Sequence, residues 1–309
     1  MKKTAFIFPG QGSQYVGMGK DFYENFACSK EMIDLAEKVS GMDMKTLLFE
    51  KNEQLNITRY TQIAMLADEL AILRAVEEKG FRSSVNAGLS LGEYAALVAS
   101  GVMTAEDAFR VIVKRGAYMQ EAVPTGGAMT AVMGMDNDVI ERICAQTDGI
   151  VSVANYNCPG QTVITGEEAA VAAAAAAMKE AGAKRCVPLN VSGPFHSQML
   201  REAGVKLAGE LENVEIYDIA TPYITNVTAD YVTDKNQVKE LLERQISSSV
   251  RWQQSMERMI ADGVEVFIEI GPKKSLTGFL KKIDKSVPVY HVDTVADLDA
   301  LCEAIGTIE

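Results

Sequence analysis

Three short apolar segments end at glycine or at a proline–glycine pair, and they restrict the fold of this chain more than any other feature. The segments are Thr4–Phe8, Ser84–Ala87 and Val264–Ile270. Apolar runs of this length, ended by residues typical of turns, are characteristic of buried strands. Segments with a helical pattern lie between these runs. Buried strands that alternate with helices predict an α/β fold with a parallel sheet.

A different pattern occupies the chain from about Gly127 to Val191. Strand-like and helical segments follow one another there in the order β-α-β-β-α-β, with a turn at Pro159-Gly160, and this is the ferredoxin-like order. We therefore predict a large α/β-hydrolase-like domain formed by residues 1–126 and 195–309. A ferredoxin-like small domain of residues 127–194 is expected to be inserted into it.

Composition and charge exclude several classes of protein. The formal net charge of −12 disfavours binding to a nucleic-acid backbone, which requires a basic surface. The five cysteines include no CxxC pair, so neither a disulfide framework nor a thiolate metal cluster is expected. Because no apolar run reaches about 18 residues and the N-terminal run is too short for a signal peptide, we expect a soluble cytoplasmic protein without membrane contact.

The segment Gly88-Leu89-Ser90-Leu91-Gly92 is a G-x-S-x-G sequence between a predicted strand and a predicted helix. That context is the one that a nucleophile elbow requires, because flanking glycines permit a tight turn that exposes the serine hydroxyl. Ser90 is therefore the candidate nucleophile. The alternative interpretation is that Ser90 serves only as the N-cap of the following helix.

A serine nucleophile needs a base, and the chain has only two histidines. His196 lies in a turn-rich segment directly after the inserted domain, where a pocket between domains is expected. His291 lies in the apolar run Val287 to Val292 and is expected to be a strand residue. We predict that His196 is the base, the alternative being a structural histidine.

The loop from Pro9 to Gln14 follows the first predicted strand, at the same edge of the sheet as Ser90. The backbone amides of Gln11 and Leu91 are candidates for an oxyanion hole. Phosphate binding is the rival role for such a loop. The sequence fits neither dinucleotide nor P-loop motifs, because Tyr15 stands at the third glycine of the former and Met18 follows Gly17 in the latter.

Four motifs together resemble the malonyl-CoA:acyl-carrier-protein transacylase family of bacterial fatty-acid synthesis, and they span nearly the whole chain. They are Phe8–Gln14, Gly88–Tyr94, Lys114-Arg115-Gly116 ahead of Met119-Gln120, and Gly193–His196. The resemblance implies that Ser90 is the nucleophile, that His196 is the base, and that the Gln11 and Leu91 amides hold the oxyanion. It also implies malonyl-CoA as substrate, acyl carrier protein as partner, and no permanently bound cofactor or metal.

Further roles follow from the resemblance alone. It implies that Arg115 binds the free carboxylate of the malonyl group, for which a guanidinium is suited, although the sequence by itself indicates a solvated helix charge. Phe195 is expected to crowd an α-methyl group. A backbone carbonyl near Val250 and Arg251 is expected to orient His196. Leu89 departs from the histidine that often precedes the nucleophile in this family, and Arg251 stands where some members have glutamine.

The expected reaction is transfer of malonyl from coenzyme A to the carrier-protein thiol through a malonyl-serine intermediate. Two rivals stay open, a serine esterase or thioesterase and a non-catalytic carrier-binding module. Because both carriers are anionic, local basic patches are candidate docking sites. Three pairs qualify, the alternative for each being ordinary solvated side chains: Lys184-Arg185, Lys273-Lys274 and Lys281-Lys282.

Overall fold

Strands and helices alternate along most of residues 2–306, the part of the chain that the computed structural model describes. The strands are β1 (Thr4–Phe8), β2 (Val85–Gly88), β3 (Gly127–Met133), β4 (Val151–Cys158), β5 (Gln161–Glu167), β6 (Arg185–Pro188), β7 (Tyr223–Ile224), β8 (Tyr231–Val232), β9 (Val266–Ile270) and β10 (Val289–Val292). The helices are α1 (Lys20–Asn25), α2 (Ala27–Ser40), α3 (Met44–Phe49), α4 (Thr58–Glu78), α5 (Gly92–Ala99), α6 (Ala105–Ala122), α7 (Asn137–Gln146), α8 (Glu168–Glu180), α9 (Arg201–Leu211), α10 (Val238–Gln245), α11 (Trp252–Ala261), α12 (Ser275–Ile283) and α13 (Val295–Ile305).

The larger sheet has six strands in the order β10-β9-β1-β2-β7-β8, and every pairing except that of β7 with β8 is parallel. All residues of β1, β2 and β9 are buried, as expected for strands with helices on both faces. The carboxyl ends of parallel strands meet at one edge. The loops that follow β1 and β2 are therefore neighbours, and the predicted parallel α/β sheet is confirmed.

The smaller sheet has four antiparallel strands in the order β4-β5-β3-β6. Numbered within this unit, the order is 2-3-1-4, which is that of the ferredoxin-like fold expected from the sequence. Its own apolar core lies between the sheet and helices α7 and α8 and includes Val132, Ile140, Ile164, Val171 and Met178. Helix α8 is rich in alanine, and its small side chains pack against this sheet.

Hydrogen bonds join the small sheet to the segment that precedes α11. Val250 donates to the carbonyl of Ala154 over 2.8 Å and accepts from the amide of Tyr156 over 2.9 Å. The Ser249 hydroxyl donates to the carbonyl of Val153 over 2.6 Å. The edge of the small sheet is thereby fixed to the segment that precedes α11, and a crevice lies between the two sheets.

Two features differ from what the sequence predicts. The sequence from Tyr223 to Val227 is strand-like in composition, but β7 ends at Ile224 because the amide of Asn226 donates to the carboxylate of Glu93 over 3.0 Å instead of to a neighbouring strand. Helix α6 is amphipathic and carries Arg115 on its buried side, whereas the sequence by itself indicates a solvated charge.

Within residues 2–306, no helix has the length and apolar character needed to cross a membrane.

Candidate active site

Ser90 occupies the sharp turn between β2 and α5. Its φ angle is +55°, a strained value for a residue with a side chain. A Cβ atom on Gly88 would lie 1.9 Å from the carbonyl of Gly92, and one on Gly92 would lie 2.4 Å from the carbonyl oxygen of Phe8. Both glycines are therefore required where the turn passes the end of β1, and this geometry is that of a nucleophile elbow.

Two amide side chains hold this strained turn, and sequence reasoning identified neither. Asn226 accepts from the amide of Ser90 over 2.7 Å and donates to the carbonyl of Gly88 over 2.7 Å. Gln245 donates from Nε2 to the carbonyl of Ser90 over 3.0 Å. Strain of this kind persists only where the surroundings fix the backbone, which these three hydrogen bonds do.

His196 lies beside the serine, with Nε2 2.9 Å from Ser90 Oγ. Its Nδ1 is 2.9 Å from the backbone carbonyl of Gln245, and because a carbonyl only accepts, Nδ1 must carry the proton. Nε2 is then free to accept the serine proton. Burial, together with the nearby charge of Arg115, lowers the pKa of His196 to about 4, so the ring is neutral near pH 7.

The position of this carbonyl corrects one prediction. The sequence placed the orienting carbonyl at Val250 or Arg251, whereas it belongs to Gln245, the last residue of α10. Carbonyls in the last turn of a helix lack partners within the helix, so this one is available to the imidazole. Val250 instead pairs with β4, and the Arg251 guanidinium lies over the ring of Tyr156 at 5.7 Å.

Arg115 extends from α6 to the serine and is fully buried. Its Nη2 donates to Ser90 Oγ over 3.1 Å and to Gln245 Oε1 over 3.0 Å, and its Nη1 donates to Gln62 Oε1 over 2.8 Å. The guanidinium also lies 5.5 Å from the centre of the Tyr94 ring. All these partners are uncharged, and within residues 2–306 no carboxylate forms an ion pair with Arg115. A buried cation therefore lies next to the nucleophile without a carboxylate in contact.

The two amides expected to bind an oxyanion lie on the same cavity as Ser90. Leu91 directly precedes α5, so its N–H is one of the amides without a partner in the helix, and it lies at the positive end of the helix dipole. The Gln11 side chain donates to the Thr58 hydroxyl over 3.0 Å, which fixes the loop after β1. Among the described residues, neither backbone amide donates to another protein group, so both are available to a ligand.

A cavity of about 270 Å³ opens onto Ser90 and His196 from the crevice between the sheets. The loop after β1 and helix α12 form one wall, and the small sheet contributes Met129, Asn155 and Val163 to the other. Phe195 also lines the cavity and is almost fully buried. The cavity lining combines these apolar side chains with the polar side chains of Gln62, Ser90 and His196.

The remaining predicted residues lie away from the serine. His291 is on the edge strand β10, with Nε2 3.1 Å from the carbonyl of Gly271, as expected for a strand residue. The lysines at the ends of α12 are exposed. Of these, Lys273 contacts the carbonyl of Gly12 over 3.4 Å, and Lys282 reaches Gln161 of the small sheet over 3.0 Å.

Together these groups form a site suited to covalent acyl transfer. A strained serine is hydrogen-bonded to a neutral imidazole, unpaired amides lie beside it, and a buried guanidinium contacts the nucleophilic oxygen. A neutral imidazole can take the serine proton, and the guanidinium favours an acyl group with its own negative charge.

Comparison with known proteins agrees with this geometry. The family model described as an acyl transferase domain matches residues 5–302. The malonyl CoA-acyl carrier protein transacylase of Bacillus subtilis is 42% identical over 314 residues, which cover 100% of this chain and 98% of the relative.

Solved structures give the same result. The MCAT crystal structure from Streptococcus pneumoniae is 48% identical with a TM-score of 0.95, covering 98% of this chain and 100% of that one. A malonyl-transacylase solved in complex with a type II PKS acyl-carrier protein is 41% identical with a TM-score of 0.94, covering 97% of this chain and 99% of that one.

Proposed function

The chain belongs to the acyl transferase family, among the malonyl CoA-acyl carrier protein transacylases, and on that basis we propose that it transfers malonyl from malonyl-CoA to the phosphopantetheine thiol of acyl carrier protein. The observation that carries the proposal is the fully buried Arg115 guanidinium, which donates to Ser90 Oγ and has only neutral partners. An acyl group with a free carboxylate supplies an anion in direct contact with this cation, which none of its protein partners does. We further propose that the protein acts in the cytoplasm in fatty-acid synthesis.

The first half-reaction loads the serine. His196 takes the proton of Ser90 as Oγ attacks the thioester carbonyl, and the amides of Gln11 and Leu91 stabilise the oxyanion. When the tetrahedral intermediate collapses, the carbon–sulfur bond breaks. The imidazolium returns its proton to the departing sulfur, and coenzyme A leaves as its thiol. Malonyl is then esterified to Ser90.

The second half-reaction runs the same steps in reverse. The carrier-protein thiol enters the emptied cavity, gives its proton to His196 and attacks the ester carbonyl. Ser90 leaves with that proton, and malonyl departs on the carrier. A low pKa suits His196 to this symmetric role, because the ring is neutral at the start of each half-reaction and is protonated only within it.

The acyl group is selected by charge and by size. Two N–H groups of the Arg115 guanidinium can meet both oxygens of the malonyl carboxylate, whereas acetyl leaves the buried cation unsatisfied. Phe195, which lies in the cavity wall with 7% of its surface exposed, restricts room for an α-methyl group beside the serine. A smaller residue there is expected to admit methylmalonyl.

Docking of the two anionic carriers is assigned to the three exposed basic pairs, Lys184-Arg185, Lys273-Lys274 and Lys281-Lys282. Two of these lie at the ends of α12, whose Leu276 and Phe279 line the cavity. Their charges are thus close to the entrance in a chain of net charge −12. Reversal of all three pairs is expected to raise the KM for carrier protein, and an unchanged KM would contradict this assignment.

The transfer itself is tested with malonyl-CoA and carrier protein in its phosphopantetheinylated form, with the apo form as the matched control because it lacks the thiol. Intact-mass spectrometry of the carrier is expected to show malonyl on the holo form only, and Ser90→Ala is expected to abolish it. Steady release of free malonate without any acceptor would favour a thioesterase. Carrier binding without transfer would favour a non-catalytic binding module.

A further inference from the structure

Glu93 is a second fully buried charge near the nucleophile, and the mechanism above does not use it. It lies in the first turn of α5, three residues after Ser90. It makes no direct ion pair with Arg115. Instead, the side chain of Gln245 lies between them, accepting from Arg115 Nη2 over 3.0 Å and donating to Glu93 Oε2 over 2.7 Å. The amide dipole thus has its oxygen on the cation and its N–H on the carboxylate.

The other contacts of Glu93 also favour its charged form. The same oxygen, Oε2, accepts from the amide of Asn226 over 3.0 Å. The first turn of a helix stabilises negative charge through the helix dipole. The ionisable side chains facing Glu93 are Arg115 from α6, Tyr223 from β7 and the neighbouring Tyr94. Burial, opposed by these hydrogen bonds and by Arg115, raises the pKa of Glu93 to about 7.

The indirect contact between Glu93 and Arg115 differs in its consequences from a direct ion pair. A buried guanidinium without any counterion is strongly unfavourable, but a carboxylate in contact with it would occupy the donors that a substrate must use. A neutral amide between the two charges lets Glu93 compensate the cation without contacting it, and the Nε donor of Arg115 has no hydrogen-bond partner within residues 2–306. Arg115 therefore stays charged and available next to Ser90.

We propose that Glu93 is the counterion of Arg115, acting through Gln245, and that it sets the affinity of the site for acyl groups that carry a carboxylate. This inference rests on the proposed function, because it takes the malonyl carboxylate as the ligand of Arg115. In the free protein Glu93 compensates the guanidinium. When malonyl binds, the two carboxylates repel each other across it.

A pH dependence follows with a definite sign. The incoming carboxylate raises the pKa of Glu93 further, so malonyl binding takes up a proton and tightens as pH falls through about 7. Acetyl adds no charge, and its binding is not coupled to Glu93. The ratio of the two affinities isolates the effect, because the phosphates of coenzyme A titrate equally in both ligands.

The experiment measures dissociation constants of malonyl-CoA and acetyl-CoA by calorimetry between pH 6 and 9, in a Ser90→Ala background that cannot be acylated. Adding Glu93→Gln keeps an oxygen acceptor for Asn226 and Gln245 but removes the charge. At pH 8.5 we expect malonyl-CoA to bind about tenfold more tightly, corresponding to ~1.4 kcal/mol of relieved repulsion, and acetyl-CoA to be unchanged. The pH dependence of the ratio should disappear.

A matched control is Glu106→Gln, which removes an exposed carboxylate of α6 and should change neither affinity. Equal weakening of both ligands by Glu93→Gln would mean that Glu93 is only a structural acceptor, and this would overturn the proposal. If that variant does not fold, the Ser90→Ala parent still tests the proposal. A ratio of malonyl-CoA to acetyl-CoA affinity that does not change from pH 6 to pH 9 would overturn the proposal equally. Failure of the proposed function is distinct: the parent would then bind malonyl-CoA no more tightly than acetyl-CoA.

Discussion

Replacing Arg115 with alanine tests how the protein chooses its acyl group. The guanidinium is fully buried, and in the loaded state its ligand would be the malonyl carboxylate. Removing one partner of a buried, hydrogen-bonded ion pair costs about 3–5 kcal/mol, which corresponds to a loss of roughly 10² to several times 10³ in kcat/KM for malonyl-CoA. Acetyl-CoA makes no such pair, so its kcat/KM is expected to change by less than about tenfold.

The assay is rapid quenching of the protein with malonyl-CoA or acetyl-CoA, followed by quantification of acylated Ser90. Arg110→Ala is the matched control, because Arg110 lies on the same helix but is exposed and pairs with Glu106 and Asp107. Arg115→Lys is expected to give an intermediate rate, since it keeps the charge and loses the planar pair of donors.

Thermal unfolding must accompany the assay because Arg115→Ala leaves the buried oxygens of Gln62 and Gln245 without their donor. A folded variant that loses malonyl and acetyl loading equally would refute the carboxylate role. The guanidinium would then act on the serine or on the fold, not on the acyl group.

Three further results are expected. At saturating malonyl-CoA the acylation rate should stay level from pH 8 to about pH 5 and fall only near pH 4, because burial lowers the pKa of His196 to about 4; a midpoint near 6.5 in this pH–rate profile would contradict it. Asn226→Ala should lower kcat about ten- to a hundredfold with little change in KM, as the Ser90 turn loses two hydrogen bonds; unchanged kcat would show that the turn holds without them. Burial raises the pKa of Glu69 and its carboxylate has no partner within the described chain, so the folded state loses stability as pH rises above the unfolded pKa of about 4.3. Glu69→Gln should therefore raise the free energy of unfolding in urea by about 1–3 kcal/mol at pH 8 and leave it unchanged at pH 4, whereas an equal gain at both would exclude ionisation as the cause.

Local patterns were sufficient to predict the framework of the site. The apolar run of β1 and the glycines around Ser90 are signals contained within a few residues, and they correctly predict a parallel sheet with two loops at one edge. The turn-rich segment of His196 was likewise recognisable. The motif between β2 and α5 was predicted in the conformation that the structure has.

The groups that support these residues could not be found in the same way. Asn226 and Gln245 lie 136 and 155 positions from Ser90 in the chain, and an amide side chain carries no local signal of burial. The carbonyl that orients His196 was predicted in kind but placed too late in the chain. Its position depends on where α10 ends, and element boundaries are what periodicity fixes least well.

For Arg115 the sequence did contain a usable signal. Ala108, Val111, Ile112 and Met119 are buried on one face of α6, and Arg115 falls on the same stripe at helical spacing. A charged residue within an apolar stripe indicates burial with a specific partner, as also holds for Glu93 in the apolar helix α5. If the residue type alone is considered, such a charged residue is predicted to be exposed to solvent.

The most direct test of covalent malonyl transfer is peptide mass spectrometry after the protein is mixed with malonyl-CoA alone and quenched at successive times. Ser90 is expected to carry one malonyl group from the earliest points, with release of one equivalent of coenzyme A and no adduct in Ser90→Ala. Folded protein that releases no coenzyme A and leaves Ser90 unmodified at every time would contradict the account.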